Sequence, residues 1–122
     1  MIIGIPKETL EGENRVPLLP EEIKKLSSDN LKFQIEHNIG ENCYCPDELY
    51  SNIGSEVVSD TFKSSNVIIK INPPTKEEVD KLKEGSCLIS LINPFINHDL
   101  VRQLAKKKIS SFCLELIPRS TY

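Results

Sequence analysis

Glycine is scarce in this chain. Its 122 residues include five glycines, Gly4, Gly12, Gly40, Gly54 and Gly85, and no two lie close in sequence. A dinucleotide pyrophosphate needs close backbone approach at a glycine-rich turn, and no G-x-G-x-x-G follows any strand. The chain is therefore not expected to bind NAD on its own. A nucleophile elbow and a Walker loop are also missing. No apolar run approaches the length of a membrane span. The start, Met1-Ile2-Ile3-Gly4, lacks the basic and long apolar regions of a signal peptide. Positive charge is not in excess: the formal net charge is −3, which argues against non-specific nucleic-acid binding. The two histidines, His37 and His98, have no partner at metal-ligand spacing, and both read as surface or capping residues. Cys43-x-Cys45 is too tight for a usual zinc knuckle and has no second pair, so no metal is expected. With Cys87 and Cys113, these scattered thiols fit an intracellular chain better than a disulfide framework.

What is there is alternation of strand and helix. The length allows one domain, or a piece of a larger one. Hydrophobic residues make up 39% and charged residues 27%, ordinary for a soluble globular chain. Strands are expected over residues 1–5, 31–36, 57–58, 67–71, 86–92 and 109–116. Helices are expected over 20–27, 46–53, 75–82 and 97–108, with a capped turn from Asp60 to Lys63. Glu21 and Glu22 precede Lys24 and Lys25 in the first helix, the charge order that suits the helix dipole. Thr75 and Glu78 have the spacing of a capping box. Repeated βα units with near-continuous apolar strands indicate an α/β domain, a mostly parallel sheet covered on both faces.

Two cations stand out. Arg15 lies in a short loop after the first strand, and ligands of open α/β sheets bind at strand ends. A guanidinium suits bidentate capture of a carboxylate. The bland alternative is a solvated arginine paired with Glu11 or Glu13. Lys70 interrupts the apolar run Val67-Ile68-Ile69-Lys70-Ile71. Its bland reading is a strand-end ammonium escaping to water; its sharper reading is a lysine aimed into the strand-end crevice. Arg15 and Lys70 are the candidate anion-binding pair, expected to converge on one crevice. The Lys106–Lys108 run is most simply a solvated helix end.

The opening MIIGIPKETLEGENRVPLLP carries the pattern I-G-x-P-K-E…E-x-R-V…P. It resembles the amino-terminal domain shared by alanine dehydrogenases and proton-translocating nicotinamide nucleotide transhydrogenases. The resemblance covers essentially the whole chain and implies a Rossmann-like (flavodoxin-like) three-layer domain. Residues 1–122 would be a single N-terminal domain, incomplete relative to the family, with the NAD-binding domain absent. In alanine dehydrogenases the arginine and lysine matching Arg15 and Lys70 bind the keto-acid substrate; the transhydrogenase branch has no established keto acid for them. Leu114-Glu115-Leu116-Ile117-Pro118-Arg119-Ser120 resembles the transhydrogenase pattern M-E-L-M-P-R-I-S-R-A-Q-S-M-D. Of the nicotinamide-contacting residues in that motif, only Arg119 carries over. Where alanine dehydrogenases place a catalytic histidine, this chain has Asn93, which cannot act as a general acid or base near neutral pH.

The resemblance thus points to the N-terminal part of the α subunit of a transhydrogenase. In that enzyme hydride passes between NAD(H), bound through a second domain, and NADP(H) on a separate domain, coupled to proton movement. The implied partners are its own NAD-binding domain, a membrane subunit and the NADP-binding domain, with a homodimeric subunit. The implied location is cytoplasmic, peripheral to the inner membrane. The 122 residues alone would be inactive. Two alternatives stay open: the first half of an alanine dehydrogenase, and a free-standing, non-catalytic binding or interaction module derived from the family.

Overall fold

Six strands pair side by side, and every pairing is parallel. The computed structural model describes residues 1–93 and 97–114. The strands are β1 (Ile2–Ile5), β2 (Lys32–Glu36), β3 (Glu56–Val58), β4 (Val67–Ile69), β5 (Cys87–Ser90) and β6 (Ser110–Cys113). The helices are α1 (Pro20–Leu26), α2 (Asp47–Ser51), α3 (Lys76–Lys81) and α4 (His98–Lys106), with a short 3₁₀ turn at Glu41–Cys43 that the sequence pattern did not suggest.

The sheet order is β3-β2-β1-β4-β5-β6. From β1 the chain steps outward to β3, returns across β1 to β4, and steps outward the other way to β6. Right-handed crossovers then place the helices of the two halves on opposite faces. The core divides accordingly. Ile23 of α1 and Tyr50 of α2 pack with Ile5, Phe33, Ile35 and Ile39. Val79 of α3 and Leu104 of α4 pack with Ile68, Leu88 and Ile92. This is the three-layer, doubly wound α/β architecture expected. On β4 and β5, alternation turns Ile69, Ile71, Ile89 and Leu91 away from α3 and α4, and they remain half-buried.

Local chemistry explains the boundaries. Thr75 caps α3: its Oγ1 accepts from Glu78 N at 3.2 Å, while Glu78 Oε1 accepts from Thr75 N at 2.9 Å. Asp60 Oδ1 accepts from Phe62 N at 2.8 Å and holds the turn that carries the chain back to β4. The regular part of β4 ends at Ile69, two residues before the end of the apolar run. Pairing nevertheless continues: Lys70 N donates to Ile89 O and Leu91 N to Ile71 O, each at 3.0 Å.

β1 and the turn before β4 approach very closely. A Cβ built on Gly4 falls 2.1 Å from Ser65 Oγ and 3.0 Å from Ser65 Cβ. Ser65 cannot swing aside freely, because its hydroxyl is buried and donates to Thr61 O at 2.5 Å. Gly4→Ala should destabilise the chain by about 1–3 kcal/mol through overpacking. Urea denaturation should show this loss, with partial recovery in Gly4→Ala/Ser65→Gly. A neutral Gly4→Ala would mean that β1 and β4 can separate at no cost.

Candidate functional site

The strand order reverses between β1 and β4, and open α/β sheets bind ligands in the crevice at such a point. A cleft of about 990 Å³ lies here. Its floor is the outward face of β4 and β5, Ile69, Ile71, Ile89 and Leu91. Its rim includes Arg15, Val16, Leu19, Glu22 and Cys43, and Lys70 reaches it from the end of β4. Both cations singled out in the sequence therefore line one cleft.

Neither cation stands without a protein partner. Lys70 is 1% exposed. Its Nζ donates to Asn72 O at 2.7 Å and to Glu8 Oε1 at 3.3 Å, with Glu78 Oε1 at 3.9 Å. Glu8 comes from the loop just after β1 and is almost as deeply buried. Its carboxylate also accepts from Ile71 N at 2.8 Å, Asn72 N at 3.0 Å and Asn72 Nδ2 at 3.3 Å. One side chain thus gathers the backbone beyond β4 and the buried ammonium. Glu78 arrives from the first turn of α3, where the capping box fixes it.

Asn72 extends the network. Its Nδ2 donates to Glu13 Oε1 at 2.9 Å. Glu13 follows a turn in which Glu13 N bonds to Leu10 O, with Gly12 at φ 85, the left-handed conformation glycine adopts without penalty. Arg15 then grips Glu13 through Nε and Nη2, both at 2.9 Å, and through its backbone N at 3.0 Å. This is the fork-to-fork geometry expected of a guanidinium, spent here on an internal carboxylate. Arg15 itself is 71% exposed. Its hydrogen bonds, then those of Asn72, hold the Glu13 carboxyl at about 2, well below its usual 4.5. The same contact raises Arg15 further.

The cluster therefore has two cations, Lys70 and Arg15, against three carboxylates, Glu8, Glu13 and Glu78. An incoming carboxylate at this cleft must share or replace an internal partner. The donors do not suit a dinucleotide pyrophosphate. The β1–α1 loop offers acids rather than a glycine-rich nest, and Glu21 and Glu22 occupy the first turn of α1, where a phosphate would sit. The bland reading of Arg15, an exposed arginine paired with Glu13, is what the structure shows, and Glu78 is the expected capping-box residue; Glu8 and Asn72 were not singled out as site residues from the sequence. The available signal was electrostatic: two cations entering one partly dry crevice require counter-charges.

Arg119 lies outside the described residues. Asn93 follows β5, exposed and left-handed at φ 52, and its carbonyl accepts from Asn97 N at 3.0 Å. His37 Nδ1 lies 2.5 Å from Asp47 Oδ2 on the surface, and His98 opens α4. Among the described residues, no group of three or more His, Cys, Asp or Glu is placed to hold a metal ion. No helix among them is long and apolar enough to cross a membrane.

Two outcomes follow from this geometry. Glu8→Ala should destabilise the fold by about 3–5 kcal/mol, because it leaves a buried ammonium without its main anionic partner. Adding Lys70→Met should restore most of that loss in urea denaturation; a double mutant no better than the single would remove the coupling. Glu13 has a folded pKa near 2, depressed from 4.5. Its contribution to stability is complete above the unfolded value and is lost as pH falls through the folded one. A thermal-melt series from about pH 5 to pH 2 should show this loss, and Glu13→Gln should flatten it.

The alanine dehydrogenase/PNT N-terminal domain profile matches residues 4–122. The NAD(P) transhydrogenase subunit alpha of Haemophilus influenzae is 32% identical over 120 residues, covering 98% of this chain and 23% of that protein. An alanine dehydrogenase of Methanococcus maripaludis is 31% identical over 120 residues, covering 96% of this chain and 32% of that protein. The crystal structure of a transhydrogenase from Sinorhizobium meliloti superposes with a TM-score of 0.93 at 30% identity, over 99% of this chain and 37% of that one. The chain thus spans roughly a quarter to a third of the length of these relatives. With a family match over nearly its whole length and a shared fold, the chain belongs to the alanine dehydrogenase/PNT N-terminal domain family.

Proposed function

We propose that this chain serves as the N-terminal domain of the α subunit of a proton-translocating NAD(P) transhydrogenase. Its work there is structural and positional. It presents Arg119 and the switch-point cleft to an NAD(H) site carried by a second domain. Hydride transfer to NADP(H) on a separate component is coupled to proton movement by a membrane subunit. These components are its partners, the intact subunit is a homodimer, and it sits at the cytoplasmic face of the inner membrane. The observation that carries this reading is the similarity to transhydrogenase α subunits over 98% of the chain. Asn93 supports it, since the position lacks a group able to exchange protons near neutral pH.

A second reading, the first part of an alanine dehydrogenase, is supported by the comparable identity to such an enzyme and by two cations at one cleft. In either case Arg15 and Lys70 hold a small anion. Arg15 recruits it and Lys70 sets the potential of the cleft.

The deciding experiment uses the whole subunit assembled with its membrane and NADP-binding partners. Arg119→Ala should slow NADH-dependent reduction of an NADP analogue by roughly tenfold or more, about 1.4 kcal/mol in the barrier, and leave the melting temperature nearly unchanged. The planar donors of Arg119 would orient the nicotinamide carboxamide, which is why the loss falls on rate. Unaltered turnover with a lowered melting temperature would make Arg119 a fixture of the chain crossover. Robust alanine-dependent NAD reduction would favour the second reading.

A further inference from the structure

Arg15 and Glu13 form an unequal pair. Arg15 Nε donates to Glu13 Oε2 and Nη2 to Glu13 Oε1, both at 2.9 Å. The Arg15 side chain is 71% exposed and the Glu13 side chain 7%. They are also unequally tied. Each oxygen of Glu13 has a second donor outside the guanidinium: the Arg15 backbone N bonds to Oε2 at 3.0 Å and Asn72 Nδ2 to Oε1 at 2.9 Å. Asn72 is fixed in turn, since its N donates to Glu8 Oε1 at 3.0 Å and its carbonyl accepts from Lys70 Nζ at 2.7 Å. The guanidinium, by contrast, has Glu13 as its one hydrogen-bond partner among the described residues.

This joint opens from one side. If the guanidinium swings away, Glu13 keeps one hydrogen bond on each oxygen and stays where it is. Arg15 lines the cleft and has solvent to move through. Lys70 has no such freedom, enclosed against Glu8 and Glu78. An anion entering beside an intact Arg15–Glu13 pair meets a guanidinium whose charge is already matched, in a cluster of three carboxylates and two cations. Exchanging partners avoids that crowding of like charge. An exposed ion pair is held weakly enough for the exchange to occur.

We propose that Glu13 is a built-in competitor for the Arg15 fork: it keeps the fork closed until a ligand carboxylate takes the guanidinium, which swings into the cleft while Asn72 retains Glu13. This rests on the reading of Arg15 as an anion-binding residue given above, and adds what regulates it. The closed pair lowers the affinity of the empty cleft. It also links binding to pH. In the closed form the Arg15 hydrogen bond is the main cause holding the Glu13 carboxyl at about 2. In the open form that cause is gone, and the carboxyl moves up toward the ordinary range. The open, liganded form therefore holds more protons in mild acid, so binding strengthens as pH falls.

The test is a ¹⁹F NMR titration of the full chain with trifluoroacetate, a carboxylate that stays ionised in mild acid. Glu13→Gln should bind the probe about fivefold tighter than wild type at neutral pH. Wild-type affinity should rise between about pH 7 and about pH 4, and Glu13→Gln should lose that rise. The other charged groups around Glu13, which are Lys70, Glu8 and Glu78 behind Asn72 and Glu22 on the rim, are common to both proteins, so the comparison isolates Glu13. Equal affinity in the two proteins would mean that the anion shares Arg15 with Glu13; it would overturn the competition and leave Arg15 an anion site. Tighter binding in Glu13→Gln with no pH dependence in wild type would reduce Glu13 to a repelling charge and also overturn it. Absence of binding in both, or binding unaffected by Arg15→Ala, would overturn the anion-site reading itself and the competition with it. A second measurement needs no variant at position 13. At about pH 4 the wild-type Glu13 carboxyl carbon resonance should move toward its protonated position as trifluoroacetate saturates, and an unmoved resonance would end the proposal.

Discussion

The cleft depends on one carboxylate. Glu8 leaves the end of β1 and accepts from the backbone at Ile71 and Asn72 and from the Lys70 ammonium. β1 and β4 are neighbours in the sheet yet far apart in the chain, and the reversal of strand order between them leaves their ends unpaired by any shared loop. A buried anion with four donors closes that gap. Alone it would be costly to bury, and so would Lys70; together each removes the other's desolvation problem. Gly4 acts on the same seam from within β1, where absence of a side chain lets Ser65 approach. The switch point is thus held by sterics within the strand and by charge just beyond its end.

The two cations of the cleft have different freedom because of this. Lys70 is enclosed, and its pairing with Glu8 is part of the fold. Arg15 is mostly exposed, so its pairing with Glu13 is open to competition from a ligand carboxylate. Its grip on Glu13 also leaves Nη1 unused. Arg15 is thus the cation open to solvent at the cleft, while Lys70 is enclosed and paired with Glu8 and Glu78. Arg15 is the residue of the pair that can answer to a ligand without disturbing the sheet.

Much of the fold was legible because it rests on local rules. Apolar runs mark β1, β4 and β5, alternation marks β2, and Thr75 with Glu78 marks the start of α3. Boundaries were less legible. The run through Ile71 continues to pair after regular strand geometry ends at Ile69, and sequence alone cannot separate the two. The 3₁₀ turn at Glu41–Cys43 depends on Gly40 meeting Cys45, a contact with no periodic signature. The site was half legible: Arg15 and Lys70 are visible as cations in unusual places. Glu13, two residues from Arg15, was visible as its local partner, whereas Glu8 and Asn72 are ordinary polar loop residues until the topology joins positions 64 apart.

That joining also explains how a doubly wound sheet can form without a glycine-rich nest at its switch point. The strand order supplies a crevice at β1 and β4, but the chemistry in it is set by the loops. Where a nucleotide-binding domain would place glycines and a bare helix N-terminus, this one places Glu8, Glu13 and Glu22. The apolar floor of Ile69, Ile71, Ile89 and Leu91 remains open beneath that acidic and cationic rim. The doubly wound sheet is thus a scaffold whose chemistry at the switch point is written by the loops rather than by the strand order.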